Sequence, residues 1–145
     1  EAVKLLAPVA QHAGIQMQVS TPAGPVFVRG NMEALLEALL NVIDNAIKYN
    51  VPQGHVTVSL SKADGWVIAT VKDSGIGIPA DDLDRVFDRF YRVDKSRSRK
   101  IGGSGLGLSI AHEIIKLHGG RIEIGSEAGT GTTVALYLRE AMWPA

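Results

Sequence analysis

GWVIATVKDSGIGIP, residues 65–79, changes character halfway along. The first nine residues, 65–73, are rich in β-branched and aromatic side chains and read as a strand. The run then stops at Asp73, and glycines follow at 75 and 77. Glycine permits a tight turn and lets the backbone come close to a ligand. A carboxylate at the mouth of such a turn only accepts hydrogen bonds, so it suits an amine donor. The same residues can also be read as an ordinary Asp-Ser-Gly turn. HVTVSLS (55–61) precedes the strand across the short KAD turn, which predicts a hairpin.

Outward from this hairpin the periodicity alternates between strand and helix. Ile15 to Ser20 places Ile15, Met17 and Val19 against Gln16, Gln18 and Ser20, a strand pattern. VFVRG (26–30), GRIEIGS (120–126) and TTVALYLRE (132–140) are further strands, the last two joined by EAGTG. Met32, Leu35, Leu36, Leu39, Ile43 and Ile47 recur at helical spacing over 31–49, and Asn31 can cap that helix. ADDLDRVFDRFYR (80–92) predicts a short helix with aromatic residues near its end. Ser104 to His118 predicts another, opened by glycines and closed by Gly119 and Gly120. Residues 4–13 look helical but contain Pro8, so a short or broken helix is expected there. VDKSRSRKIGG (93–103) is polar, basic and aperiodic, the pattern of a mobile loop. Strands outnumber helices and the two are interleaved, so one sheet with helices on one face is the natural packing.

The bulk properties narrow the class. The chain has 145 residues, 46% of them apolar, enough for one domain with one core. Lys plus Arg and Asp plus Glu both number 15, and the formal charge is zero. No global field draws the chain to nucleic acid or anionic lipid. Cysteine is absent, which excludes disulfide frameworks, zinc-thiolate sites and thiol nucleophiles and fits a cytosolic protein. No apolar run approaches about 20 residues. The first residue is Glu rather than Met, and the chain reads as a piece of something longer.

The helix at 31–49 displays an unusual stripe. At about 100° per residue, Asn41, Asn45 and Lys48 lie within about 60° of one another, and Glu37 joins them. Asparagine is a poor residue for a helix interior. The stripe is either a solvated polar face or a site. Its neighbours, LLN and VIDNAI, are apolar and favour a site. An amide oxygen suits a hard cation such as Mg²⁺ that brings phosphate oxygens with it, and Lys48 can meet a phosphate one turn on. GGSGLGLSI (102–110) adds free backbone N–H groups at a helix start, which favour anions. It is neither a P-loop, lacking the Lys-Ser/Thr ending, nor the dinucleotide fingerprint. Read with a phosphate-binding stretch, Asp73 suits the exocyclic amine of adenine. The basic run Arg92, Lys95, Arg97, Arg99 and Lys100 is a solvated loop, a lid for a triphosphate or a contact for an acidic partner. His12, His55, His112 and His118 have no metal spacing and read as structural, and Phe87 and Phe90 as packing residues.

Together these stretches resemble the sensor histidine kinases. NVIDNAIKY (41–49) resembles their N box, DSGIGIP (73–79) the G1 box, FDRFYR (87–92) the F box, GGSGLGLSI (102–110) the G2 box and GTGTT (129–133) the last glycine motif. All five occur in the family's order. The resemblance implies the catalytic ATP-binding domain of a bacterial histidine kinase, within the gyrase–Hsp90–kinase–MutL ATPase group. It implies an α+β fold of Bergerat type, a two-layer sandwich with a mixed sheet of about five strands and three helices on one face. It implies ATP and Mg²⁺ as cofactors. Asn45 would hold the metal with Asn41 nearby, and Lys48 and Arg92 would meet phosphates, these with Asn41 being the catalytic set. Tyr49 and Ile78 would line the nucleotide, Asp73 would take the adenine amine, and Gly75 and Gly77 would shape the pocket floor. Gly103, Ser104, Gly105 and Gly107 would close over the phosphates beside Leu106 and Leu108, with Arg97 in the lid. Thr132 would support Asp73 through a water.

The gyrase-like branch carries a general-base glutamate four residues before the metal asparagine. Here that position is Asn41, and an amide takes no proton at neutral pH. Poor hydrolysis and transfer of the γ-phosphoryl group to a protein nucleophile are therefore expected. None of the four histidines has the phosphoacceptor context of the family. The expected domain thus runs over 1–145 with a core at about 14–140, and the dimerisation domain with the acceptor histidine lies elsewhere in the parent. That domain and a response-regulator receiver domain are the expected partners, with no nucleic acid and a monomeric fragment. A cytoplasmic location follows, under a parent that is a candidate inner-membrane sensor. The rival readings are an anti-sigma-factor-type serine kinase and a nucleotide-binding module without catalysis. FDRFYR and the missing Met favour the first reading.

Overall fold

The computed structural model describes residues 1–88 and 107–142. The strands are β1 (Gln16–Ser20), β2 (His55–Ala63), β3 (Trp66–Asp73), β4 (Arg121–Glu127) and β5 (Gly131–Arg139). They form one sheet in the order β1-β2-β3-β5-β4. β1 runs parallel to β2, and the other neighbours are antiparallel. The helices are α1 (Ala2–Ala13), α2 (Met32–Lys48), α3 (Ala80–Leu83) and α4 (Gly107–Leu117). The α+β fold expected from the sequence is the fold observed.

Alternation along the strands sorts side chains between the two faces. Val56, Val67, Val71, Val134 and Leu136 are buried on the face that carries the helices. Ala2 and Ala10 of α1, Ala38, Val42, Ile43, Ala46 and Ile47 of α2, and Ala111 and Ile115 of α4 close over them. Burying a side chain such as Ile43 or Ile115 contributes about 1.5–3 kcal/mol. Asp73 pairs with Val56 and follows Val71 by two residues, so it continues the inward-facing row at the end of β3. The register thus turns a carboxylate toward the helix layer.

Helix ends follow local chemistry. Asn31 Oδ1 accepts from Ala34 N at 2.9 Å and caps α2. Gly14 ends α1 in the left-handed region, φ 74°. His118 joins the start of α2 to the end of α4: its Nε2 accepts from Asn31 N at 3.1 Å, and its Nδ1 donates to Ile114 O at 2.8 Å.

The structure corrects several local expectations. α1 is continuous through Pro8. Proline removes one backbone bond from the helix interior, and the burial of Ala2 and Ala10 on either side holds the helix together. VFVRG forms no strand. Val28 makes a single bridge to Glu140, and Ala141 N donates to Phe27 O at 2.7 Å. Both sides of β5 are already occupied by β3 and β4, so this segment can pair only beyond its end. The hairpin turn is Asp64-Gly65 rather than KAD, with φ of 53° and 83°, and β2 extends to Ala63. Asp-Gly suits the two positive φ values of such a turn. Of the helix expected over 80–92, the described residues form α3, which ends at Leu83, with turns at 84–87 and a bend at 88; residues 89–92 lie outside them. Acidic residues at 81, 82 and 84 suit a first turn and are weak beyond it.

Candidate functional site

The end of β3 carries the most specific geometry. Asp73 Oδ1 accepts from Gly75 N at 2.8 Å and from Thr132 N at 3.2 Å. Its other oxygen has no partner among the described residues. Burial pushes the Asp73 carboxyl above its ordinary value, and the two N–H bonds offset part of that rise. The result is a half-buried acceptor held in one orientation with one oxygen left for a donor.

The turn after Asp73 is shaped by backbone contact. Ile76 N donates to Tyr49 O at 3.1 Å, at the C-terminus of α2, and Gly129 N donates to Ile76 O at 2.7 Å. A Cβ at position 75 would collide with the Tyr49 carbonyl. Gly77 has φ 72°, and a Cβ there would collide with the Glu127 carbonyl. These glycines let the turn lie between the end of α2 and the β4–β5 turn. Ile78 N donates to Ser126 Oγ at 2.7 Å, which fixes the exit of the turn.

α2 brings its polar stripe to the same end. Asn41 Nδ2 is buried with no hydrogen-bond partner among the described residues. A buried orphan donor is costly, and an oxygen acceptor such as a phosphate oxygen would satisfy it. Asn45 is half-buried one turn on. Lys48 makes an ion pair with Asp44 at 3.0 Å, so a phosphate would compete with Asp44 for it. Among the described residues no cluster of three His, Cys, Asp or Glu side chains could hold a metal. The donors near the turn are neutral amides, and such a set fits a hard cation only if a ligand brings the anionic oxygens.

Thr132 meets Asp73 through its backbone: its N–H donates to Asp73 Oδ1 directly, and its hydroxyl lies 2.7 Å from Ser126 Oγ. Ser126 and Thr132 are directly opposite across β4 and β5, which brings the two hydroxyls together. Arg92, Arg97, Gly103, Ser104, Gly105 and Leu106 lie outside the described residues, as do Phe90 and the basic loop. Gly107 opens α4, and Leu108 packs half-buried against the core. Phe87 stacks on His112 with ring centroids 4.7 Å apart, so both pack as expected. Burial pushes the His112 imidazole below its ordinary value, and nearby Lys116 adds to the effect.

Sequence reading passed over Asn50, Ser126 and Asp44. Asn50 Nδ2 donates to Ala46 O at 3.2 Å and to His55 O at 3.1 Å. Its Oδ1 accepts from Val51 N at 2.8 Å and from Ser74 Oγ at 3.1 Å. Asp44 had a signal, its i,i+4 spacing from Lys48. Asn50 sat in NVPQG, which looked like turn residues and nothing more.

A mixed five-stranded sheet, helices on one face, and a carboxylate turn set against an amide-bearing helix end define a nucleotide-binding type of domain. The chain belongs to the histidine kinase-, DNA gyrase B- and HSP90-like ATPase family, whose model matches residues 30–142. It is similar to the sensor histidine kinase WalK of Bacillus subtilis, 46% identical over 119 residues, covering 81% of this chain and 20% of that protein. The chain spans about a fifth of the length of the curated relatives it matches. Among solved structures, the mycobacterial sensor histidine kinase MprB superposes with a TM-score of 0.82 at 32% identity, covering 96% of this chain and 93% of that one. Full-length ShkA in complex with AMPPNP superposes with a TM-score of 0.84 at 28% identity, covering 99% of this chain and 29% of that one. Among the described residues no helix is long and apolar enough to cross a membrane.

Proposed function

We propose that this chain is the ATP-binding catalytic domain of a sensor histidine kinase. It binds Mg-ATP and passes the γ-phosphoryl group to a histidine on another part of the parent protein. The acceptor nitrogen attacks the γ-phosphorus, the bond to the β-phosphate bridging oxygen breaks, and ADP leaves. Phosphoryl transfer of this kind is mostly positioning and charge stabilisation. The observation that carries the reading is Asp73: a carboxylate oriented by two backbone N–H groups, with one oxygen left for the adenine amine.

The other roles complete the reading. Tyr49 and Ile78 flank the adenine end through the turn that Gly75 and Gly77 allow. Asn41 donates to a phosphate oxygen, which the orphaned Nδ2 supports. Asn45 supplies an amide oxygen to Mg²⁺, and Lys48 leaves Asp44 for a phosphate. The family motifs assign Arg92, Arg97 and residues 103–108 to the phosphates. An amide at 41 leaves no general base there, so water is a poor acceptor. The receiver domain of a response regulator takes the phosphoryl group from the parent's histidine. The domain works on the cytoplasmic side, under a parent that is a membrane sensor.

Calorimetric titration with a non-hydrolysable ATP analogue tests this reading. Binding should strengthen with Mg²⁺, and Asn45→Ala should lose most of that gain while keeping the metal-free affinity. Absence of binding in both conditions would remove the reading. An equal loss with and without Mg²⁺ would remove the metal role of Asn45.

A further inference from the structure

Asn50 links three segments that meet behind Asp73. It is 6% exposed and saturates both ends of its amide. Nδ2 spans from Ala46 O in the last turn of α2 to His55 O at the start of β2. Oδ1 takes the Val51 N–H and the Ser74 hydroxyl. Ser74 Oγ in turn accepts from His55 N at 2.9 Å. Gly54 has no room for a side chain, because a Cβ there would collide with Asn50 Oδ1. The backbone is therefore moulded around this amide. Ser74 is the residue after Asp73, and Gly75 N is one of the two donors to the Asp73 carboxylate.

We infer that Asn50 is a positioning residue for base recognition, acting on Asp73 through the Ser74 hydroxyl. The inference rests on the reading of Asp73 as the adenine acceptor. Both amide groups are needed. Two carbonyl acceptors lie on one side and two donors on the other, and among the side chains of this size only a neutral amide matches both. Aspartate would set a charge against the carbonyls of Ala46 and His55. A hydroxyl could not reach all four partners. Without Asn50, Ser74 keeps only its contacts with the His55 backbone, and the turn is tied to the end of α2 only by the Ile76 N–Tyr49 O bond beyond it. The Gly75 N–H then holds the Asp73 carboxylate less firmly beside the Thr132 N–H, and the first property to suffer is the choice of base.

The test compares affinities of the chain for non-hydrolysable ATP and GTP analogues. Adenine offers a donor at the position where guanine offers a carbonyl, so the ratio of the two affinities reads Asp73 orientation. A merely structural role scales both affinities together and leaves the ratio alone. Asn50→Ala should weaken the ATP analogue about tenfold and lower the ratio by a similar factor. Ser74→Ala, which leaves the helix-end bonds of Asn50 in place, should lower the ratio in the same direction. The double variant should fall no further than Asn50→Ala alone, since both act on one link. An unchanged ratio in Ser74→Ala overturns the inference, and that arm decides the matter if Asn50→Ala fails to fold. Additive losses overturn it as well. Asp73→Asn separates the two levels. If Asp73→Asn binds the ATP analogue normally, the adenine role of Asp73 falls, and the inference falls with it. If Asp73→Asn loses binding while the Asn50 and Ser74 variants keep the ratio, only the positioning role falls.

Discussion

Asp73 sits where two demands conflict. Burial raises its carboxyl above the ordinary value of 3.8, so the ionised form is costly to the fold. A group whose folded value is raised lowers stability above that value, and the cost vanishes below the unfolded value. Asp73→Asn should therefore leave the ligand-free domain as stable as the parent or more so at pH 7. The difference should close as the pH falls from the raised folded value toward 3.8. The asparagine oxygen can still accept from Gly75 N and Thr132 N, so the turn should persist. The same change should weaken an ATP analogue about a hundredfold, because a charged acceptor for its amine is gone. Thermal melts across pH check the first statement, and a destabilised variant at pH 7 would contradict it. Asp73 was legible in sequence because alternation along β3 points it inward. Its Thr132 N–H partner was not, since that contact joins residues 59 apart. The orphaned donor on Asn41 was likewise invisible, because an amide stripe shows which residues share a face and not which atoms find partners.

The turn between β3 and α3 is held between two backbones. Gly77→Ala places a Cβ against the Glu127 carbonyl at a positive φ, so the β4–β5 turn or the Asp73 turn must move. The expected cost is about 1–3 kcal/mol of stability, with weaker nucleotide binding alongside. Denaturant melts of the variant measure it, and a cost within error would mean that the contact relaxes freely. Other segments show how neighbours override local pattern. Pro8 predicts a break, but the buried alanines of α1 outweigh one missing hydrogen bond. VFVRG has a strand composition but no free strand edge to join. α2 needed no such correction, because its period, its Asn31 cap and its buried face all agree.

For the molecule as a whole, ligand binding and folding are linked. A ligand that binds only the folded state at 100 times its dissociation constant stabilises by about 2.7 kcal/mol. For a domain of this size that corresponds to a rise in Tm of roughly 5–10 °C. Mg²⁺ with the ATP analogue should produce that rise, and in Asp73→Asn, bound about a hundredfold more weakly, the same concentration should produce only about 1 °C. A rise of equal size in the variant would place the nucleotide elsewhere. The sheet explains why the site lies at one end. The turns after α2, after β3 and between β4 and β5 all meet there, and each contributes backbone groups as well as side chains.

Local pattern alone specified most elements, the face each one buries, the Asp73 turn and the stripe on α2, because these depend on periods of about two or 3.6 residues and on the special freedom of glycine. The family resemblance needed only short motifs in order. What the tertiary structure decided is which atoms meet. The strand order sets β5 beside β3 and β4 at the edge, which brings Thr132 to Asp73 and Ser126 to Thr132. The same fold closes Asn50 onto Ser74 across 24 residues. Such contacts follow from the packing of remote segments against one core, and no window of sequence contains both partners.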